Sequence, residues 1–281
     1  MPELPEVETI TRRLKEGDHE TPSVIGQTIQ SVEVTWKRII AQPDPEEFKE
    51  ILVGKTISDA RRRGKFLHFP LDEGHLFGHL RMSGDVRMEK RVNFAGEAIP
   101  KEEYDKVILN FEGIYRMVFS NIRKFGRMWY TKDPKIILDK LGPEPLSDDF
   151  TSQKLYEMLH ARSRQLKPLL MDQTFIAGLG NLYTNEVLYQ SKIHPLRQSN
   201  SLSREEVHRL HDGVRFVLQK GIDSMGASID WIYKGGRFQE DFNVYGKEGE
   251  PCPRCDTPIE KIQAGQRASY FCPKCQKMSG N

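Results

Sequence analysis

Cysteine is scarce in this chain, with four in 281 residues, and tryptophan scarcer, with three. Four thiols are too few for a scaffold held together by disulfides, which excludes the small secreted folds that depend on them. No apolar run approaches the roughly 20 residues that cross a bilayer as a helix, and mean hydropathy is −0.59, so a bundle of membrane-spanning helices is excluded. The N-terminus lacks the apolar segment of a signal peptide and is crowded with acidic residues instead, which argues against export and for a cytoplasmic, bacterial-type location. There is no large charge of one sign: 42 Lys and Arg face 40 Asp and Glu, a net of +2. Indiscriminate attraction to polyanions is thereby excluded. Neither an internal repeat nor a low-complexity tract is present.

What charge there is lies unevenly. Residues 1–60 hold 7 basic against 12 acidic residues, 61–91 hold 8 against 4, and 115–135 hold 6 against 1. Basic residues gathered into a few segments point to a local polyanion site. For any one segment, a solvated basic face is the competing reading.

The length suffices for two domains with separate cores. Residues 27–36, 64–71, 75–81, 84–89, 105–111, 115–120 and 126–131 are short, rich in Val, Ile, Phe and Tyr, and parted by Gly, Asp or Asn. That pattern predicts a mostly antiparallel β structure, a sandwich or barrel-like domain. Residues 133–150, from Asp133-Pro134 past Gly142-Pro143-Glu144-Pro145, have the composition of a connector. Beyond it the periodicity becomes helical. Leu155, Met158 and Leu159 suit one short helix, Leu166, Leu169 and Leu170 another, and a third is expected from Asn181 to about Lys192. Ser203 and Glu206 read as a capping box ahead of a longer helix marked by Val207, Leu210, Val214, Leu218 and Ile222. The expected organisation is a domain over 1–132, a linker over 133–150, a helical domain over 151–245 and a cysteine-containing tail over 246–281.

The stretch Met1-Pro2-Glu3-Leu4-Pro5-Glu6-Val7-Glu8-Thr9 admits two readings. Removal of Met1 would make Pro2 the terminus, with a secondary amine able to attack a carbonyl-like carbon and form an iminium. An α-amino group titrates at roughly 8, about two units below lysine, so such an amine is a nucleophile at neutral pH without deep burial. Glu3 adjoins it, and Glu6 is expected one turn on along the same helical face, placed for acid/base work and its support. The plainer reading is a helix start with a tolerated early proline and acidic residues favoured by the dipole. Leu4, Val7, Ile10 and Leu14 form one apolar stripe.

Cys252-Pro253-Arg254-Cys255 and Cys272-Pro273-Lys274-Cys275 are two C-x-x-C pairs, sixteen residues apart. Four thiolates so spaced match a tetrahedral zinc site on a β-hairpin. With all four positions filled, no site remains to activate water, so one structural Zn²⁺ is expected. Between the pairs, residues 265–270 are expected to form the hairpin turn, where Arg267 is either a phosphate grip or an exposed arginine. Gly178-Leu179-Gly180-Asn181 precedes a helix whose N–H groups suit an anion, or is simply a turn. Arg61-Arg62-Arg63-Gly64-Lys65 suits successive phosphates or a solvated charge run. Arg123-Lys124-Phe125 joins cations to an aromatic that could wedge between bases. His79, in His79-Leu80-Arg81-Met82-Ser83-Gly84, reads by itself as a structural histidine.

Together, and in this order, these motifs resemble the formamidopyrimidine-DNA glycosylases, bacterial enzymes that remove oxidised purines from DNA. The resemblance runs through Pro2 to Thr9, Arg63-Gly64-Lys65, His79 to Gly84, Arg123 to Gly126, Lys167-Pro168, Asp172-Gln173, Gly178 to Asn181 and the four cysteines, essentially the whole chain. It implies an α+β protein: an N-terminal antiparallel β-sandwich with flanking helices, then a helix-two-turns-helix domain with a zinc-finger β-hairpin. It implies action on double-stranded DNA with oxidised purines or abasic sites, not at a membrane and associated with the nucleoid when on DNA; a one-site grip on a duplex requires only a monomer, the expected state.

Residue by residue, the resemblance makes Pro2 the nucleophile on C1′ and Glu3 the general acid/base, with Glu6 in support. Lys65 matches the family's β-strand lysine, a catalytic-site residue that binds phosphate near the lesion. His79, Lys124, Asn181 and Arg267 match further phosphate contacts, and Lys167 a lysine of the lesion pocket. Met82, Arg123 and Phe125 match the trio pushed into the duplex where the base has left. Two departures stand out: residues 227–237 look shorter than the family's lesion-capping loop, and Asn121 stands where aspartate is usual, with little consequence expected. The alternatives are an endonuclease VIII-like enzyme for oxidised pyrimidines, disfavoured by Leu4, and a non-catalytic damaged-DNA-binding zinc-finger protein. An RNA-binding zinc ribbon would need an aromatic stacking sheet that is not evident.

Overall fold

A computed structural model describes residues 1–93, 95–229, 233 and 235–278. Two compact units emerge: one of residues 1–2, 6–140 and 228–235, the other of residues 3–5, 141–227 and 236–281.

The first unit is two stacked sheets. Strands β1 (Ile29–Val34), β6 (Gly84–Lys90), β7 (Asp105–Phe111) and β8 (Tyr115–Asn121) form one, in the order β1-β7-β8-β6. Strands β2 (Ile40–Gln42), β3 (Arg61–Arg63), β4 (Phe66–Pro70), β5 (His75–His79) and β9 (Arg127–Thr131) form the other, ordered β2-β9-β5-β4-β3. All pairings are antiparallel except the short β2–β9 contact. Side chains alternate across a strand, so Val107, Leu109, Met117, Phe119, Val86 and Met88 meet Leu67, Phe69, Leu76, Met128 and Tyr130 in one core.

Helix α1 (Leu4–Glu16) adds Val7, Ile10 and Leu14 to that core, whereas Leu4 belongs to the core of the second unit. The single stripe expected from periodicity is thus divided between two cores. Helix α2 (Pro45–Leu52) was not anticipated. Asp44 caps it, accepting from the N–H groups of Glu46 and Glu47, and Pro45 occupies its first turn.

A short helix α3 (Lys135–Leu138) precedes the second unit, which holds α4 (Ser152–His160), α5 (Leu166–Leu170), α6 (Asn181–Gln190) and α7 (Arg204–Asp223), then the hairpin of β10 (Glu260–Ala264) and β11 (Arg267–Phe271). The capping box is present: Glu206 N–H donates to Ser203 Oγ at 3.2 Å, and Ser203 N–H to Glu206 Oε2 at 2.8 Å. From that start Val207, Leu210, Val214, Leu218 and Ile222 line the buried face of α7. Helix α6 is buried from Leu182 to Tyr189, so the residues it bears are held on a rigid axis. No helix among the described residues is long and apolar enough to cross a membrane. The shortened loop noted in the sequence falls partly outside the described residues, at Asp230–Ile232 and Lys234.

Candidate functional site

In the second unit the chain's first residues meet the start of α6. Glu3 stands one residue ahead of α1, not within it, which corrects its expected place on a helical face with Glu6. Its carboxylate accepts the N–H of Gly180 at 2.5 Å and that of Leu182 at 2.9 Å. The first-turn N–H groups of a helix need acceptors, and the positive end of its dipole favours an anion. Here Glu3 is that anion, so the N–H groups expected to await a phosphate are taken by a carboxylate of the chain itself. Gly178 allows it. At φ +101°, it brings its backbone against Leu4, where an added Cβ would lie 2.5 Å from Leu4 Cδ1. Leu4 N–H donates to Gly178 O at 3.0 Å, and Gln173 clasps the turn through Gly178 N–H and Leu179 O.

Lys167 is fully buried on α5. Its Nζ donates to Asn185 Oδ1 at 3.1 Å and to Ala268 O at 2.6 Å. Burial pushes this amine down to about 7, against the opposing pull of Glu3. Asn185 works in two more directions, accepting Tyr270 N–H at 2.9 Å and donating to Asn181 O at 2.6 Å. The strand that bears Arg267 is therefore fastened to the helix that bears Asn181. The turn between β10 and β11 is only Gly265-Gln266, and Arg267 opens β11 opposite Ala264. This corrects the longer turn expected over 265–270. Arg267 is exposed, and Asn181 Oδ1 is buried with no hydrogen-bond partner among the described residues.

The sulfurs of Cys252, Cys255, Cys272 and Cys275 all lie within 4.8 Å of one another. Neighbouring pairs stand at 3.5 Å (Cys255–Cys272) and 4.0 Å (Cys252–Cys275). A tetrahedron with Zn–S near 2.3 Å separates its sulfurs by about 3.8 Å, so this donor set fits one zinc ion with no open position. Cys252 and Cys272 pack with Tyr189, Val244 and Ile259 in a small core of their own. The finger is seated by Arg254, which stacks 4.1 Å over Tyr189 and donates to the end of α6 at Tyr189 O. Glu186 holds the segment leading to it, accepting the N–H groups of Asn243, Val244 and Tyr245.

In the first unit, Lys65 follows Gly64 in the two-residue turn between β3 and β4, one residue short of the strand on which the resemblance placed it, and is buried. Beside it, Arg61 pairs with Asp59 at 2.7 Å and Arg62 with Glu8 at 2.8 Å. Two of the three arginines in that run are thus spoken for by carboxylates, not left for phosphates. Glu6 is buried on α1, and Pro2 is buried ahead of it. His79 ends β5 with its ring edge-on to Phe66, and its Nδ1 accepts Arg81 N–H at 3.0 Å. Burial, with Arg81 and Lys65 nearby, lowers this imidazole to about 3. The ring is neutral, with Nδ1 the acceptor and Nε2 left to carry the proton.

Met82, Arg123 and Phe125 are exposed on two loops. Arg123 Nη1 lies 3.6 Å from Met82 Sδ, although 41 residues separate them in the chain. Lys124, at φ +58°, sets its ammonium 4.6 Å over the ring of Trp36. Asn121, Asn185, Glu186 and Trp36 are the structural participants that sequence reading passed over or discounted. For Asn185 and Glu186, polar residues inside a largely apolar run were the available signal; Asn121, between Ser120 and Ile122-Arg123, offered none.

Comparison with known proteins agrees along the chain. Family models match three segments: the formamidopyrimidine-DNA glycosylase N-terminal domain over residues 1–128, its H2TH domain over 141–231, and a zinc finger found in FPG and IleRS over 249–277. Proteins named formamidopyrimidine-DNA glycosylase from Pelotomaculum thermopropionicum and Geobacillus kaustophilus are each 40% identical, covering 99% of this chain and all of the relative. A Lactococcus lactis Fpg in complex with abasic-site DNA aligns at a TM-score of 0.87 and 37% identity, over 98% of this chain and 99% of that one. MutM in complex with DNA containing carbocyclic 8-oxo-G aligns at 0.88 and 37%, over 98% and 100%.

Proposed function

The chain belongs to the formamidopyrimidine-DNA glycosylase family, and on that premise we propose how its own residues divide the work of excising oxidised purines and cutting the strand. The observation that carries the proposal is the setting of Glu3. A carboxylate one residue after Pro2 in the chain is held by two N–H groups at the head of a buried helix, so its position on that helix is fixed.

A stacked base shields its C1′, so the nucleotide must be turned out of the duplex. Unstacking costs a few kcal/mol, which inserted side chains and phosphate contacts offset. Met82, Arg123 and Phe125 are assigned to the vacated space. Lys65, Lys124, Arg267, Asn181 and the neutral Nε2–H of His79 are assigned to phosphates.

With Met1 removed, the unprotonated nitrogen of Pro2 forms a bond to C1′ as the bond to the base breaks. The departing base takes up a proton from solvent, Glu3 takes the N–H proton of the new ammonium and passes it to O4′, the sugar ring opens, and the nitrogen becomes an iminium. That cation acidifies C2′. Loss of a C2′ proton expels the 3′ phosphate, a second elimination expels the 5′ phosphate, and water hydrolyses the remaining iminium to free Pro2 and the unsaturated sugar aldehyde, leaving a one-nucleotide gap. Glu6 supports the site electrostatically, and Lys167 contributes by fixing the hairpin of Arg267. Zinc, when bound, supplies no chemistry to these steps; it closes the finger. A cytoplasmic monomer suffices for this work.

Borohydride trapping tests the assignment. The processed enzyme mixed with duplex DNA bearing 8-oxoguanine opposite cytosine, then reduced, should give a stable protein–DNA adduct joined through Pro2, and Pro2→Gly should lose most of it. An adduct mapped by mass spectrometry to a lysine would remove Pro2 from the role.

A further inference from the structure

The two loops that carry Met82 and Arg123–Phe125 are joined by one buried side chain. Asn121 ends β8 with no exposed surface. Its Nδ2 donates to Leu80 O at 2.9 Å and to Met82 O at 3.3 Å. Its Oδ1 accepts the N–H groups of Phe125 at 2.8 Å and Gly126 at 3.2 Å. A carboxamide offers two donors and two acceptor lone pairs, and here all four are used, two on each loop. The reverse amide orientation would set donors against N–H groups and an oxygen against carbonyls, so the network fixes which end is which.

Both loops depend on such a clasp. Arg81, Ser83 and Lys124 adopt left-handed φ of +52°, +57° and +58°, conformations that side-chain-bearing residues hold only when their surroundings impose them. Space for the amide is reserved on both sides: a Cβ on Gly84 would lie 2.8 Å from Asn121 Nδ2, and one on Gly126 would lie 3.2 Å from it.

We infer that Asn121 is a positioning residue, which locks the Met82 turn to the Arg123–Phe125 loop so that the three side chains enter DNA as a single preformed wedge. The inference rests on the reading of those three as the inserted residues. A wedge held rigid in advance loses less conformational freedom on insertion than two loops that must be ordered separately. The residue type matters. Aspartate, the residue usual here in the family, keeps the two acceptor bonds to Phe125 and Gly126 in either form, but it reaches the carbonyls of Leu80 and Met82 only while protonated, so in this chain its hold on the Met82 turn depends on pH. The sequence-based expectation that this asparagine matters little is therefore replaced.

The experiment compares wild type, N121D and N121L on two duplexes, one with 8-oxoguanine and one with a preformed abasic site. Only the first has a base to evict. A displacement of about 1 Å can cost about 10²-fold in rate, so N121L should excise 8-oxoguanine about 10- to 100-fold more slowly while cutting the abasic site within about threefold of wild type. With 2-aminopurine beside the lesion, its unstacking signal should fall in parallel. For N121D the ratio of its excision rate to wild type should rise as pH falls from about 8 to about 5.5, because a protonated carboxyl regains a donor. Equal losses on both duplexes, wild-type excision by N121L, or a flat N121D ratio would each overturn the inference. Should N121L not fold, the N121D ratio decides alone. Wild type that cuts neither duplex takes down the catalytic reading and this one with it, an outcome distinct from failure of the variants.

Discussion

Lys167 Nζ and Asn185 Oδ1 face each other at 3.1 Å inside the helical unit, and the same amine reaches Ala268 O on the zinc-finger hairpin. A lysine in this position is costly to charge. Its folded-state pKa is depressed to about 7 by burial, while the unfolded chain keeps it near 10.4.

The sign of the linkage follows. Between those two values the unfolded chain holds a proton that the folded chain has released, so stability rises with pH across the window. Below about 7 both states are protonated and the penalty is constant. The slope contributed by this one group approaches about 1.4 kcal/mol per pH unit. Lys167→Met has no proton to exchange. The difference in melting temperature between wild type and K167M should therefore move in favour of wild type from pH 7 to pH 9. A difference that stays constant would mean that the amine remains charged.

Glu3 offers a test of chemistry separated from binding. Glu3→Gln keeps the shape and one of the two acceptor oxygens, so it still accepts from Gly180 or Leu182 while its NH2 faces the other N–H, and it cannot relay a proton. General acid/base groups contribute typically about 10²- to 10⁴-fold. Turnover of 8-oxoguanine by E3Q should fall within that range, with affinity for an uncleavable abasic analogue within about threefold of wild type. Comparable losses in affinity and rate would make Glu3 a purely structural cap.

Much of this could be read from the chain itself, for identifiable reasons. The seven longer strands of the first unit, the capping box at Ser203 and the cysteine cluster are encoded by local periodicity and spacing, which need no knowledge of the rest of the fold. Asp44-Pro45 was an equally local helix start, but it lay within a short, mostly charged segment. What stayed hidden were partnerships at long range: Glu3 with α6, Arg62 with Glu8, and Asn121 with a turn some 40 residues away. Each is a polar pair whose members look ordinary alone, because hydrogen bonding depends on where the fold puts the second group. Leu4 shows the same limit for apolar residues. Its spacing placed it on a stripe with Val7, and only the three-dimensional arrangement could assign it to a different core.

Metal removal should act on the second unit alone. Cys252 and Cys272 make up much of the small core around Tyr189, Val244 and Ile259, and the four sulfurs, within 4.8 Å of one another, are bridged by no other group among the described residues once the cation that would hold them together is gone. Binding energy of a structural zinc is largely folding energy. Cys272→Ser, or wild type stripped with a chelator, should lose its one zinc per chain and its DNA affinity, while β-sheet circular dichroism is largely kept. Zinc loss that leaves affinity intact would detach the finger from DNA binding.

Gly178 carries the last prediction, because two independent costs fall on one methyl group. At φ +101° an alanine is strained whatever the room available. There is also no room: the new Cβ would stand 2.5 Å from Leu4 Cδ1 and 2.8 Å from Leu4 Cβ. Overpacking of this kind costs roughly 1–3 kcal/mol, so G178A should melt several degrees below wild type. The activity loss should exceed what the melting shift explains, because Leu4 is pushed and Glu3 is attached to it. A displacement of about 1 Å at a catalytic carboxylate can cost about 10²-fold. Assayed well below its melting temperature, G178A should therefore trap less adduct with borohydride, and Leu4→Gly in the same chain, which removes both clashing atoms, should restore part of it. If the double variant traps no more than G178A, the strain at Gly178 does not reach Glu3.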